Sequence, residues 1–156
     1  MFHVKHNEKG INMNVKIYCD QQFDKSLNFA VIISLYKGKY VFCRHKQRTT
    51  YEIPGGHREK GESILQTAER ELKEETGAIK FDLEYLCDYS VETSESLNYG
   101  RVFVANIKEL GKLPESEIGE VIVTEHLPNN WTYPEIQPKF IECYEKNMIE
   151  RIKKNG

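Results

Sequence analysis

Apolar positions along the chain are grouped in a way that predicts short strands separated by turns. Residues 29–36 form a continuous apolar run rich in β-branched side chains, which is typical of a strand buried on both faces. Residues 37–39 (Lys-Gly-Lys) predict a tight turn into a second strand at residues 40–45. Residues 51–53 then meet Pro54-Gly55-Gly56, which we expect to end any strand at that point.

The second half of the chain predicts further strands and a closing helix. Residues 81–87 alternate between apolar and acidic side chains, as in a half-buried strand, and residues 101–107 and 119–124 read as two more strands. A last helix begins at Pro134 or Pro138. Its predicted apolar stripe consists of Phe140, Ile141, Tyr144, Met148 and Ile152. The order of strands, helix, strands and helix predicts an α/β (α+β) fold with a mixed sheet.

A central helix is predicted from its end signals. Ser63 followed by Gln66 forms a capping box, and Gly77 stands where a left-handed C-terminal cap is expected, so the helix interior is residues 64–76. On a helical wheel the apolar stripe consists of Ile64, Leu65, Ala68 and Leu72. Glu71, Glu74 and Glu75 share one side of this helix, with Glu75 inside the apolar stripe and Glu71 at its border.

Carboxylates in such positions call for a compensating charge. Like charges three and four residues apart on a helix repel one another, and more strongly where they are half buried. A hard divalent cation such as Mg²⁺ prefers oxygen ligands and would compensate them. The alternative interpretation is a solvated acidic face with Arg70 and Lys73 as its partners.

The frame around these glutamates decides between the two interpretations. Residues 56–78 read GHREKGESILQTAERELKEETGA, which fits the pattern G-x5-E-x7-R-E-U-x-E-E-x-G-U, with Ala78 at the last aliphatic position. This segment resembles the Nudix box, and the resemblance to Nudix hydrolases extends over about residues 15–150. It implies an α/β/α sandwich with a mixed curved sheet and the loop–helix–loop that carries the box.

The resemblance also implies an activity and a set of site residues. Nudix hydrolases use Mg²⁺, or Mn²⁺ in its place, to cleave the diphosphate linkage of nucleoside diphosphates joined to another group, by attack of water. By position, Glu71, Glu74, Glu75 and the carbonyl of Gly55 resemble the metal ligands, and Arg70 resembles the residue that orients the glutamates. Arg70 and the three glutamates form the implied catalytic set, and the supporting box positions are Gly56, Glu62 and Gly77.

Other candidates lie outside the box. A general base or extra metal ligand is expected from a box carboxylate or from one of the acidic residues before the strand at 119–124, namely Glu115, Glu117 and Glu120. Candidates for binding the substrate are Arg44, Tyr51, Arg58, Asn129 and Asn130. For the acidic residues the alternative is simple solvation, and for the asparagines it is a plain turn after Pro128.

Residues that mark subgroups of the Nudix family reduce the number of substrate classes to consider. No proline lies between Pro54 and Pro114, where ADP-ribose hydrolases carry one after the box, and the tyrosine of diadenosine polyphosphate hydrolases is out of place. The chain is similar to the small MutT-type, YtkD-like nucleoside triphosphate pyrophosphohydrolases, whose substrates include 8-oxo-guanine nucleotides. The alternatives are a nucleotide sugar or an RNA 5′-triphosphate as substrate, or a nucleotide-binding module without catalysis.

Composition excludes several partners. With 22 basic and 24 acidic residues the formal net charge is −2, which argues against a duplex nucleic-acid binder and leaves a small nucleotide as the expected partner. The longest apolar run is too short for a membrane span. Four cysteines without a CxxC motif predict reduced thiols and a cytoplasmic location.

Residues 1–14 are predicted to form a flexible arm before a single domain at 15–156, and nothing in the pattern indicates an oligomeric state.

Overall fold

The structure, a computed structural model, describes residues 12–19, 22–23 and 27–155. Residues 1–11 of the predicted arm lie outside the described residues. The strands are β1 (Asn14–Tyr18), β2 (Leu27–Tyr36), β3 (Lys39–His45), β4 (Gly55–His57), β5 (Ala78–Glu92), β6 (Leu97–Leu110) and β7 (Ile118–Thr124), and the helices are α1 (Ile64–Thr76) and α2 (Gln137–Asn155).

All the strands named above belong to one mixed sheet, as the sequence predicts. Its order is β1-β5-β6-β2-β3-β7, with β4 beside β2, and only the β2–β6 pair is parallel. Strand β2 pairs with β3 through residues 34–36 and with β4 through residues 29–31. The β2–β3 turn uses Lys37 and Gly38, both with positive φ, which suits a two-residue hairpin.

The two helices cover opposite faces of the sheet. On one face Val31 and Ile33 of β2 pack in a core cluster with Phe140 and Ile141 of α2. On the other face the intervening β2 residues pack in a second cluster, which contains α1 residues such as Leu72. This alternation explains why β2 is apolar throughout. The α/β/α sandwich is therefore confirmed.

The glycine segment differs from the prediction. We expected Pro54-Gly55-Gly56 to end a strand, whereas Gly55–His57 forms strand β4, and Tyr51 and Glu52 make only isolated bridges. Strand β2 offers an open edge beyond its short pairing with β3, and glycine allows a close approach to it. A Cβ atom on Gly55 would press against the carbonyl oxygen of Ala30.

The helix ends are as predicted, but the apolar stripes are not. The Ser63–Gln66 capping box is present, and Gly77, at φ 80°, donates its N–H to the carbonyl of Lys73. Leu65, expected in the apolar stripe of α1, is 44% exposed, because the buried face is centred on Ala68 and Leu72 and includes Thr67 instead.

The apolar stripe of α2 is buried only near the start of the helix. Met148 and Ile152, predicted as part of the stripe, are exposed. Met148 lines a groove of about 330 Å³ between the later turns of α2 and the sheet, together with Tyr85, Val104 and Tyr144 among others. Strands β5 and β6 are also longer than predicted, because they pair with each other almost from end to end.

One buried ion pair fastens the segment before β2 to the sheet. Asp88 of β5 is fully buried and accepts two hydrogen bonds from the guanidinium of Arg101 on β6, at 2.6 and 3.0 Å. The same carboxylate accepts the N–H of Phe23 at 2.7 Å, and Arg101 donates to the Phe23 carbonyl at 3.3 Å. Across the described residues, no helix has the length and apolar character that a membrane span requires.

We expect Arg101→Ala to lower the free energy of unfolding by about 3–5 kcal/mol, because it leaves the Asp88 carboxylate buried without its partner. Urea denaturation measures this change. The matched control is Lys108→Ala on the same strand, which breaks an exposed ion pair with Asp82 and should cost at most about 1 kcal/mol. Equal losses for the two variants would contradict the prediction.

Candidate active site

An acidic cleft of about 320 Å³ opens beside helix α1. Three of its lining side chains are the glutamates of the C-terminal half of α1, so the structure brings together the residues that the sequence singles out. The other contributions come from Arg70 of the same helix, the end of β3, the glycines of β4, the loop between β4 and α1, and the segment that enters β7. The lining residues are His45, Gly55, Gly56, Glu59, Arg70, Glu71, Glu74, Glu75, Ser116, Glu117 and Ile118.

The glycines of β4 fit against two of these carboxylates. Gly55 donates its N–H to Glu75 Oε1 at 2.7 Å. Gly56 lies so close to Glu71 that a Cβ atom there would collide with the Glu71 carboxylate. The pairing of β4 with β2 therefore also places the glycine backbone directly against the carboxylates of α1, where a side chain would not fit.

Arg70 connects the supporting glutamate to the others. Its guanidinium binds Glu62 with two hydrogen bonds, of 2.7 and 2.9 Å, and donates a third to Glu71 at 2.8 Å. It also donates to the carbonyl of His57 at 3.0 Å. The hydrogen bonds from Arg70 lower the pKa of Glu62 to about 2. The fork geometry of an arginine thus ties Glu71, which lines the cleft, to Glu62, which does not.

Burial leaves the two inner carboxylates poorly solvated. Glu75 is buried, and removal from water raises its pKa well above the ordinary value, with a further contribution from the charge of Glu71. Burial also raises the pKa of Glu71, although Arg70 opposes that change. Glu74 has a side chain that is 51% exposed. Negative charge in this cleft is therefore only partly compensated by the protein.

The donor set suits a hard divalent cation. Several carboxylate oxygens face one cleft next to a glycine backbone, and such oxygens are the ligands that Mg²⁺ prefers. Within residues 12–19, 22–23 and 27–155, no three His, Cys, Asp or Glu side chains already stand as a ligand set. Glu71 is bound by Arg70 and Glu75 by Gly55, so binding would require these side chains, or the exposed Glu74, to rotate.

Two further groups lie at the site: Glu52 was missed by the sequence prediction, and His45 was considered as a proton or phosphate group but interpreted as a partly exposed bystander. Glu52 is buried, and burial raises its pKa to about 7. His45 Nε2 lies 3.1 Å from Glu52 and 3.8 Å from Glu75, and its Nδ1 lies 3.7 Å from Glu117. Burial also lowers the pKa of His45, which favours the neutral imidazole. His45 therefore connects the buried carboxylates to the loop before β7.

One signal for His45 was present in the sequence. Val41, Cys43 and His45 are spaced by two along β3, and Val41 and Cys43 are buried. Because side chains two apart in a strand share a face, His45 had to point toward the covered side of the sheet. Glu52 had no comparable signal, because its position depends on a single bridge to Cys43.

The structure separates the three loop glutamates. Glu117 lines the acidic cleft. Glu120 instead accepts the phenolic hydroxyl of Tyr51 and lies 3.8 Å from Arg44. Glu115 is exposed and is not among the residues that line the cleft. Only Glu117 is therefore placed to act beside the helix glutamates.

None of the five predicted substrate-binding residues lines the acidic cleft, and Tyr51 instead donates its hydroxyl to Glu120. Arg44 donates to the carbonyls of His45 and Arg48, which holds the turn after β3. Asn130 donates to the Thr49 carbonyl at 2.6 Å, as expected for a structural turn. Arg58 and Asn129 are exposed, and neither lines the cleft.

A second cavity of about 380 Å³ adjoins the acidic cleft. It is lined by His45, Lys46, Gln47, Arg48, Ser116 and Glu117. Three of these residues, His45, Ser116 and Glu117, also line the acidic cleft, so the two spaces are neighbours. The second cavity adds two cationic side chains and an amide to the carboxylates of the first.

Comparison with known proteins agrees with this arrangement. A family model described as the NUDIX domain matches residues 25–142. The chain is 35% identical over 112 residues to the Bacillus subtilis (strain 168) protein named "Putative 8-oxo-dGTP diphosphatase YtkD". The aligned region covers 71% of this chain and 70% of the relative.

Solved structures show the same fold. The chain resembles the Bacillus subtilis pyrophosphohydrolase BsRppH, solved as a Glu-to-Ala mutant, with a TM-score of 0.72 and 28% identity over 91% of each chain. It also resembles the NUDIX domain of Shewanella oneidensis NrtR complexed with ADP ribose, with a TM-score of 0.62 and 15% identity over 81% of this chain and 90% of that one. At this lower identity the likeness concerns the fold alone.

We expect Glu52→Gln to flatten the pH dependence of stability in the absence of metal. A folded-state pKa of about 7 lies above the unfolded value near 4.3, so the wild type loses stability as the pH rises between these values. Near pH 8 the variant should be more stable by up to about 4 kcal/mol. Urea denaturation at several pH values in chelator measures this difference. Glu84→Gln is the control: this exposed carboxylate forms a surface ion pair with Arg151, so the variant should follow the wild type, and parallel curves for all three proteins would refute the expectation.

Proposed function

This chain belongs to the NUDIX family, and from that premise we propose that it is a Mg²⁺-dependent pyrophosphohydrolase of nucleoside triphosphates. The observation that carries the proposal is the cleft in which Glu71, Glu74 and Glu75 face the glycine strand β4. The cleft is open to solvent, but the side chains of Glu71 and Glu75 are largely covered by the protein, and this burial raises the pKa of both. A cation bound between them and a diphosphate would compensate both sets of negative charge.

The protein side of the reaction is mainly positioning and charge. Glu71, Glu74 and Glu75, together with the Gly55 carbonyl, would hold the cation, and Arg70 fixes the orientation of Glu71 through its own bonds to Glu62. When bound, Mg²⁺, or Mn²⁺ in its place, neutralises charge on the phosphate oxygens and lowers the pKa of a bound water. Cleavage of a phosphoanhydride needs little covalent chemistry from the protein, so such positioning supplies most of the rate.

A proton acceptor completes the set. Glu117 lines the same cleft as the helix glutamates, on the segment that enters β7, and its side chain is largely exposed. We assign it the role of accepting the proton of the attacking water, with His45 behind it at 3.7 Å. The other loop glutamates do not line the cleft.

The second cavity is the place we assign to the rest of the nucleotide. Lys46 and Arg48 supply positive charge for the phosphates beyond the cleaved bond, and Gln47 supplies an amide that can both donate and accept hydrogen bonds to a base. The similarity to a relative named for 8-oxo-dGTP supports an oxidised guanine nucleotide as substrate. Nucleoside triphosphates are cytoplasmic metabolites, so we place the enzyme in the cytoplasm.

A different nucleoside diphosphate derivative is the alternative substrate class. The 28% identity to a pyrophosphohydrolase over 91% of each chain supports cleavage of a diphosphate linkage without specifying the substrate, so a nucleotide sugar or an RNA 5′-triphosphate is the alternative to a free nucleoside triphosphate. A binding module without catalysis is the remaining alternative. It is disfavoured because Glu71, Glu74, Glu75 and Arg70 are all retained and gathered in one cleft.

We expect hydrolysis with Mg²⁺ of 8-oxo-dGTP or dGTP at a higher kcat/KM than of ADP-ribose or triphosphorylated RNA, and none in excess chelator. The assay follows release of pyrophosphate or phosphate across this panel. A preference for ADP-ribose or RNA would replace the proposed substrate, and no hydrolysis of any member alongside nucleotide binding in calorimetry would establish the binding module.

Matched variants in the same assay test the metal face. Glu74→Gln and Glu75→Gln should lower kcat by roughly 100-fold or more, because each removes a charged oxygen ligand. Glu69→Gln is the control: it makes the same change on the same helix, and Glu69 does not line the cleft. Full activity of either ligand variant would contradict the metal assignment, provided that circular dichroism shows a native fold.

We expect Glu117→Gln to lower kcat by roughly 100-fold, because a positioned general base contributes about that much or more. Glu115→Gln, two residues earlier and outside the cleft, should retain the wild-type rate. The pH–rate profile provides the second measurement, and its acidic limb should weaken in the Glu117 variant. If the two variants behave alike, the loop does not supply the base.

A further inference from the structure

Three cysteines that are far apart in the sequence meet on the α2 side of the sheet. The antiparallel pairing of β1 with β5 ends with Tyr18 opposite Asp88, so the next residue of the chain, Cys19, comes level with Cys87. Helix α2 crosses above this point and contributes Cys143, which packs against the same core cluster as Cys87. The Sγ atoms of Cys19 and Cys143 are 3.9 Å apart.

The three thiols are not equivalent. Cys87 is buried within β5, Cys143 is partly exposed, and Cys19 is exposed just after β1. The hydrogen bond from the Cys87 thiol lowers the pKa of Cys143 to about 6, and the Cys19 thiol and the Lys146 ammonium act in the same direction. The same hydrogen bond, together with burial, raises the pKa of Cys87, which therefore keeps its proton. These neighbours favour Cys143 over Cys87 as the thiolate of the cluster.

We propose that Cys143 and Cys19 form an oxidisable dithiol that reacts with small hydroperoxides and closes to a disulfide between the end of β1 and helix α2. An accessible sulfur with a second thiol within 4 Å is the arrangement that such chemistry requires. The two sulfurs must approach to about 2 Å, and the exposed position of Cys19 leaves room for its side chain to rotate.

The reaction balances with the hydroperoxide as the only co-reactant. The Cys143 thiolate attacks one peroxide oxygen, so that an S–O bond forms, the O–O bond breaks, and the departing hydroxide or alkoxide takes up a proton. Cys19 then attacks the sulfenic sulfur, so that the S–S bond forms and the S–O bond breaks with release of water. Two thiols lose two electrons and two protons, and the hydroperoxide is reduced to water and an alcohol, or to two waters.

This site is separate from the acidic cleft. None of Cys19, Cys87 and Cys143 lines that cleft or the adjoining cavity. The link would join positions 124 residues apart and fasten β1, which lies at the end of the sheet, to the helix that covers it. Oxidation should therefore raise the melting temperature of the protein, and reduction by dithiothreitol should reverse the change.

The test treats the whole chain with hydrogen peroxide at neutral pH, then alkylates the remaining thiols under denaturing conditions and maps the peptides by mass spectrometry. We expect a peptide pair linked through Cys19 and Cys143, while Cys43 is recovered alkylated. Cys43 is the internal control because it is fully buried, burial raises its pKa, and its thiol donates to the Glu52 carbonyl at 3.6 Å.

Single variants test each role. Cys143→Ser should slow oxidation of the cluster by at least roughly 10-fold, since it removes the thiolate. Cys19→Ser should block the cross-link and leave Cys143 as a sulfenic acid that dimedone traps, and Cys43→Ser should behave as the wild type. The proposal is overturned if Cys143 in the wild type oxidises no faster than Cys43, or if the product links Cys143 to Cys87.

Discussion

The central constraint on this molecule is the crowding of carboxylates on a half-buried helix face. Glu71 and Glu75 lie one turn apart on α1, and burial raises the pKa of both. Glu52 adds a third poorly solvated carboxyl, which His45 connects to Glu75. Isolated, such groups would destabilise the folded state, so each is held by a specific donor of the protein.

The donors explain why the surrounding chain has the form it does. Arg70 reaches Glu71 because both lie on α1, and Gly55 reaches Glu75 because β4 pairs with β2 at an edge that β3 leaves open. The glycines serve this approach directly, since a side chain at position 56 would occupy the space of the Glu71 carboxylate. The strand, the helix and the acidic cleft therefore form one unit.

The sequence was informative where structure is local and less so where it depends on distant contacts. Helix α1 begins and ends at the predicted residues because its caps, Ser63 and Gly77, act within one turn of the helix. Strand β4 was missed because its pairing depends on the open edge of β2. The cysteine cluster was missed for the same reason, since only the pairing of β1 with β5 brings Cys19 level with Cys87. Leu65 and Met148 show the limit of wheel arguments, which predict a face but not how far the sheet covers it.

The same distinction between local and distant contacts applies to the residues for the reaction and the residues for substrate binding. The carboxylates come from one helix whose spacing is set by helical geometry, so a short sequence pattern identifies them. The second cavity is built from the turn after β3 and the segment before β7, which are far apart in sequence and meet only because β3 pairs with β7. A loop of this kind can change its side chains without disturbing α1. Proteins with this fold can therefore share the acidic helix and differ in what they bind, and under the nucleotide assignment proposed above residues 45–48 and 116–117 would set this chain's specificity.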